Sequence, residues 1–273
     1  MYHLNFTKTM KKYLLILVLF SATHVAFCQD LFSSLVPLSQ DVELGKQVSK
    51  QIENDKNIKI LSEEKYKDAY TYLRNMTENI LNSGQVQNRN NFNWTVKIIH
   101  DDKTLNAFCT PGGFIYVYTG LIKYLDREDY LAGVLGHEIA HADKRHSTKQ
   151  MLENQGIQIL TQAVMGKNKN AIVNLAQNLV ALKFSRNDET EADKKSVDYL
   201  CGTIYQADGA AGFFTKLQQE NKTGTVPQFL STHPNPANRV AAITADAANR
   251  QCKSQNVRRD MTLYAKFKAM LPK

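Results

Sequence analysis

The chain has 273 residues, 43% apolar and 22% charged, with a formal charge of +8. That length supports one or two packed domains, and the composition is that of an ordinary globular protein. The basic residues are scattered, as at Lys144, Arg145, Lys167, Lys169, Arg258 and Arg259, with no interleaved aromatics. This excludes a nucleic-acid partner and leaves a moderately basic surface suited to anionic lipid.

Residues 1–28 read as an export signal. Lys8, Lys11 and Lys12 precede two apolar stretches, Tyr13 to Phe20 and Val25 to Phe27, and neither stretch reaches the roughly 20 residues of a membrane span. Without these three lysines the formal charge is +5. Ala26-Phe27-Cys28 fits a small-x-small cleavage site before Gln29, and Cys28 is alternatively the lipid-bearing residue of a lipoprotein. Either route takes the mature chain out of the cytoplasm, where disulfides form. Cys109, Cys201 and Cys252 remain, an odd number that allows one internal pair at most. Position favours Cys201 with Cys252 over three free thiols, and with no C-x-x-C a cysteine-ligated metal is not supported. The organisation expected is a leader at 1–28, one domain over 29–250, and a basic tail without repeats over 251–273.

Along the chain, Asp41 to Ile52 carries Val42, Leu44, Val48 and Ile52 at helical spacing, with Gly45 as a point of close contact. Ser62-Glu63-Glu64 opens a second helix, whose apolar face runs from Tyr66 through Leu73 to Leu81 before Gly84 ends it. Trp94 to Ile99 alternates as a strand. Phe114 to Tyr118 is a second strand, of the kind that suits a sheet edge. Pro111-Gly112-Gly113 between them is a turn, or a place where another backbone comes close. A short helix at Leu121 to Leu125 precedes a longer one over 127–147, with acids in its first turn. Two apolar stretches, Ile157 to Met165 and Ala171 to Leu182, read as a helical hairpin too polar to span a bilayer. The whole is an α+β fold, mostly helical, with a small antiparallel sheet beside the long helix.

The chemistry sits in that helix. Leu135-Gly136-His137-Glu138-Ile139-Ala140-His141 contains H-E-x-x-H, and residues four apart on a helix share a face. His137 and His141 can therefore hold one Zn²⁺, while Glu138, about 100° round the helix, is placed to take a proton from metal-bound water. His146 leaves the shared face and reads as a surface histidine or one that backs a ligand. Farther on, Phe184 to Asp193 is dense in acids. Glu189 and Asp193 again share a helical face while Glu191 points elsewhere, which makes Glu189 the third ligand and Asp193 the acid that orients a histidine through its other ring N–H. Ser231 to Arg239 is a rigid turn before a last helix to about Asn249, and from the residues alone its histidine and prolines can be mere punctuation.

The order H-E-x-x-H, Ser-Arg-x-x-Glu-x-Glu-Ala-Asp and Thr-His-Pro-x-x-x-x-Arg resembles the zinc metallopeptidases of the CAAX prenyl protease and HtpX family, in its small periplasmic or outer-membrane branch. Asn106-Ala107-Phe108, Pro111-Gly112-Gly113, Thr119-Gly120-Leu121 and Gly45-Lys46-Gln47-Val48 are similar to further family segments, so the likeness covers about 40 to 245. The resemblance implies a zincin-like metallopeptidase domain, a single Zn²⁺ per chain on His137, His141 and Glu189, Glu138 as catalytic base, and Asp193 behind a ligand. It brings His233 and Arg239 to the site as oxyanion stabilisers or gates. It makes the segment from Asn106 to Tyr118, with Gly112 and Gly113, an edge strand along which polypeptide substrate lies. The chain departs from the family at Cys109, where a small apolar residue is usual, and in lacking tetratricopeptide repeats after residue 245. The expected activity is endoproteolysis of misfolded or misassembled envelope proteins. Two alternatives are a zinc-bound chaperone or assembly factor for outer-membrane proteins with latent peptidase activity, and a non-catalytic lipoprotein module.

Overall fold

The structure is a computed structural model that describes residues 36–165, 169–220, 228–233, 238–252 and 261–273. The leader, Cys28, the hairpin tip at 166–168, the prolines at 234–237 and the stretch 253–260 lie outside the described residues. From Asp41 onward the chain forms one compact unit.

Helix α1 (Leu38–Asn54) buries Leu44, Val48 and Ile52, and α2 (Lys67–Leu81) buries Tyr70, Leu73, Met76, Ile80 and Leu81, the stripes their spacing predicts. Helix α2 starts later than Ser62. The Ser62 hydroxyl accepts the backbone N–H of Lys65 at 3.3 Å and makes a turn there instead. The Tyr70 hydroxyl donates to the Leu61 carbonyl at 2.8 Å and accepts the Ile98 N–H at 3.2 Å, which fastens the helix to the sheet.

Strands β1 (Thr95–Ile99), β2 (Ala107–Thr110) and β3 (Phe114–Tyr118) form one sheet in the order β1-β3-β2. β2 and β3 are antiparallel, with Cys109 opposite Ile115, but β1 and β3 are parallel, with Ile98 opposite Val117. The sheet is therefore mixed, not antiparallel, and β3 is its central strand rather than an edge. Four of the five residues of β3 are buried, so both its faces are covered, as in a central strand. The edge is β2. The Pro111–Gly113 turn both reverses the chain and packs closely on another element. Gly112 has φ +74°, and a Cβ there would lie 2.7 Å from the Cα of Val42, while one at Gly45 would lie 2.0 Å from the Pro111 carbonyl oxygen.

Helix α3 (Thr119–Tyr124) leads into α4 (Glu128–Asp143), the motif helix. It stops short of the expected residue 147 because Arg145 takes a left-handed conformation (φ 61°), and α5 (His146–Val164) sets off anew. The Arg145 guanidinium grips the Asp41 carboxylate, which also accepts the Thr148 hydroxyl at 2.9 Å, so the turn is pinned to α1. α5 kinks at Gly156 (φ 75°), and with α6 (Lys169–Val180) it makes the expected hairpin. Its buried face, Met151, Leu160, Ile172, Leu175 and Leu179, joins Leu44, Val48, Phe108 and Tyr116 in a core of its own.

Helices α7 (Arg186–Leu200), α8 (Gly209–Glu220), α9 (Gln228–Thr232) and α10 (Arg239–Asn249) close around α4 and share the larger core. Two glycines of α4 set the distances. A Cβ at Gly133 would lie 2.0 Å from the Ala210 nitrogen of α8, and one at Gly136 2.7 Å from Ser196 Oγ of α7. Ser196 Oγ donates to the Gly133 carbonyl at 2.8 Å, locking α7 alongside the motif.

The stretch expected as a tail contains α11 (Thr262–Ala269), whose Tyr264 and Phe267 are fully buried. Phe267 stacks on Tyr72 of α2 at 4.3 Å, and Tyr264 donates to the Ile122 carbonyl at 2.8 Å. Burial of each ring is worth about 1.5–3 kcal/mol, enough to dock so short a helix. Cys201 and Cys252 form the expected disulfide, and Cys109 is a buried free thiol. Among the described residues no helix is long and apolar enough to cross a membrane.

Candidate metal centre

The centre is assembled on α4, which is buried on every side. His137 and His141, one turn apart, turn their Nε2 atoms to within 2.9 Å of each other. Helix α7 brings Glu189 to the same point. The Ser185–Asp188 capping box fixes its first turn, and Glu189 Oε2 lies 3.5 Å from His137 Nε2 and Oε1 3.4 Å from His141 Nε2. His233, just after α9, completes the group, with Nδ1 2.9 Å from Glu189 Oε1 and 3.3 Å from His137 Nε2. One donor atom from each of these four buried residues lies within 4.8 Å of the others.

Two imidazoles and a carboxylate converging in a buried space are the donor set of a zinc site with one position left for water or substrate. The residues fit such an ion on a second count. Neither carboxylate oxygen of Glu138 makes a hydrogen bond although both are buried, and the nearest opposite group, His233 Nε2, is 3.5 Å from Oε1, a costly arrangement that a bound ion and its water would relieve. Burial pushes the Glu138 carboxyl above its usual range, against the opposing pull of His233 and His137. Burial, then the charge of His137, drives His141 well below the ordinary histidine value, and neutral imidazole is the ligating form. Burial works to raise Glu189 as well, but the positive charges of His233 and His137 outweigh it and hold the group ionised.

Behind the donors lies a layer of charge. Asp193 Oδ1 is 3.0 Å from His137 Nδ1, the position expected of the orienting acid. Arg239, the largest fully buried side chain, donates from Nε and Nη2 to Asp193 at 2.6 and 2.7 Å, and its Nη2 is 3.0 Å from Glu189 Oε2. Its guanidinium lies 3.8 Å over the Phe214 ring. Only Nη1 lacks a partner. His146 Nδ1 meets His141 Nδ1 at 2.9 Å.

The structure thus brings His137, Glu138, His141, Glu189, Asp193, His233 and Arg239 together. Asn106 is fully buried just before β2, and neither polar atom of its side chain has a partner. Gly112 and Gly113 are packed elsewhere, on α1 and on Trp94. Sequence reasoning missed Phe184, whose ring lies flat on His141 at 3.9 Å, and Phe229, stacked on His233 at 4.2 Å. It also missed that Cys109 and Ser147 stand against each other beside Glu138. Phe184 adjoins the acidic segment and carried a weak signal; the others carried none, because they reach the site only through the fold.

Comparison with known proteins bears on this constellation directly. Residues 68–247 match the model of peptidase family M48. The beta-barrel assembly-enhancing protease of Yersinia pestis is 29% identical over 169 residues, covering 56% of this chain and 33% of that protein. The mitochondrial metalloendopeptidase OMA1 of Schizosaccharomyces pombe is 28% identical over 165 residues (58% and 48%), and its Arabidopsis thaliana counterpart 33% over 145 residues (52% and 29%). The chain spans less than half the length of these relatives. The matched region contains α4, α7 and all but the last two residues of α10, with the whole donor set, and the chain belongs to peptidase family M48.

Proposed function

We propose that this protein is a zinc-dependent endopeptidase that hydrolyses peptide bonds in misfolded or misassembled proteins of the cell envelope. The observation that carries the reading is the Glu138 carboxylate, fully buried beside two histidines and Glu189, with His233 Nε2 3.5 Å from its Oε1 and no hydrogen bond that ties it up. A structural metal site has no need of such a base. Zinc, when bound, supplies a Lewis acid and an acidified water. His137, His141 and Glu189 hold the ion. Glu138 takes the proton of the attacking water and returns it to the leaving amine. Asp193 keeps His137 oriented, and Arg239 restrains Asp193 and Glu189 together. The tie-up of Nε and Nη2 leaves Nη1 of Arg239, with His233, as the donors for a developing oxyanion. Asn106 and β2, all buried in this structure, are the segment along which substrate would lie as an added strand, held mainly through backbone, which gives broad specificity.

The envelope assignment draws on the leader and on the name of the Yersinia relative. It places the protein in the periplasm or at the outer membrane, anchored through Cys28 if that residue bears lipid, with outer-membrane assembly machinery or the membrane surface as neighbours. A second reading, a chaperone or assembly factor with latent peptidase activity, is favoured by one observation: His233, fully buried with Nδ1 2.9 Å from Glu189 Oε1, stands as a fourth donor in the position otherwise left for water or substrate.

One experiment separates the two. Glu138→Gln keeps the donor set, so zinc stays at one per chain while cleavage of an unfolded casein-type substrate falls by about 10²–10⁴. Cleavage at the wild-type rate with zinc bound overturns the peptidase mechanism. Suppression of aggregation that survives the substitution, in a wild type that cleaves nothing, establishes the chaperone.

A further inference from the structure

His146 opens α5 and is 1% exposed. Its Nδ1 lies 2.9 Å from Nδ1 of His141, and its Nε2 lies 3.3 Å from Oε2 of Glu191 and 3.6 Å from Oδ1 of Asp188. The other nitrogen of His141, Nε2, faces His137 and Glu189. Two facing ring nitrogens share one proton, so one must donate and the other accept. The acids decide which. Carboxylates at Nε2 of His146 favour a proton on that atom, and a neutral imidazole protonated there has a bare Nδ1. That bare Nδ1 accepts the Nδ1–H of His141, which leaves the Nε2 lone pair of His141 free. With the roles reversed, the proton of His141 would sit on Nε2, and the lone pair a metal requires would be gone.

We propose that His146, backed by Glu191, is a positioning residue for metal binding: it fixes the tautomer and ring plane of His141 as Asp193 fixes those of His137. The inference rests on the reading of His141 as a zinc ligand. The backbone is built to deliver it. Arg145 is held in its left-handed turn by Asp41, and Thr148 on the same carboxylate anchors the first turn of α5 beneath His141. Phe184, flat against His141 on one side, restricts the ring from tilting away. The two ligands thus reach their acids by different routes. His137 meets Asp193 directly, whereas His141 needs an intermediary because Glu191 stands near the surface, its side chain 46% exposed.

The test is zinc affinity of the full chain, read by competition with a chromophoric chelator, in wild type, His141→Ala, His146→Leu and His146→Asn. His141→Ala should abolish tight binding; if it binds as wild type does, the ligand reading and this inference fall together. With that loss in hand, His146→Leu should weaken zinc binding roughly 10- to 100-fold. His146→Asn, which can place an amide oxygen where Nδ1 stood, should recover affinity to within a few-fold of wild type, a rescue that lost packing would not give. Wild-type affinity in His146→Leu, or equal weakness in the Asn and Leu variants, overturns the positioning role and leaves the ligand reading intact.

Discussion

The metal centre and the α5–α6 hairpin, which lies in the chain between its first two histidines and Glu189, are held together by different physics. Around α4 the side chains are charged or aromatic, almost wholly buried, and tied to one another in fixed geometry: Arg239 to Asp193 and Glu189, Asp193 to His137, Phe184 to His141. The hairpin is held by aliphatic packing on one face, and it leaves Ile157, Met165 and Val173 partly in solvent on the other. A buried charge network tolerates no missing member, since each loss strands a charge in low dielectric. An aliphatic face tolerates changes of shape, and its outer side tolerates nearly anything. Rigidity is concentrated where protons and a metal ion must be held.

Four substitutions sharpen that contrast, beginning with the largest expected effect. Arg239→Met fills similar volume but strands the Asp193 and Glu189 carboxylates, and should cost about 3–5 kcal/mol in chemical denaturation. A cost under ~1 kcal/mol would show that the network is not what holds α7 and α10 together. On the hairpin, Leu175→Ala should cost about 2–5 kcal/mol, because the residue is fully buried, whereas Val173→Gln, two residues away, should stay within about 0.5 kcal/mol. Equal effects at the two positions would mean that the outer face is covered in solution. The smallest effect belongs to an exposed counterpart of the Arg239 cluster, Glu63 with Lys97 and Arg74. Hydrogen bonds from Lys97 and then Arg74 hold Glu63 below its ordinary value of 4.5. A depressed carboxyl stabilises the fold above its unfolded value and loses that contribution as pH falls through the folded one. The urea midpoint should therefore drop slightly more on acidification below about pH 4.5 in wild type than in Glu63→Gln. Identical profiles would assign this surface pair no net worth.

Local pattern alone determined a good deal. The period of apolar residues located α1, α2, the hairpin and strands β1 and β3, because each period reflects one backbone geometry, whereas the four residues of β2, all buried, show no alternation. The i, i+4 spacings of His137 with His141 and of Glu189 with Asp193 fixed which side chains face one way, because within a helix spacing is direction. Parity limited the cysteines to one pair and position leaned towards Cys201 with Cys252, but it took the fold to bring the two together. What required tertiary structure was everything that depends on which segments meet. The parallel pairing of β1 with β3 is invisible to a strand read singly, since alternation does not encode a neighbour's direction. The break at Arg145 needed Asp41, more than a hundred residues earlier, to hold a left-handed turn, and Tyr264 and Phe267 gained meaning only from the groove beside Tyr72. His146 is the clearest case: off the shared face on an ideal helix, it is returned to His141 by a turn that only long-range contacts sustain. Short-range order follows from covalent geometry and hydrophobic period, but the second layer of this site is a product of packing.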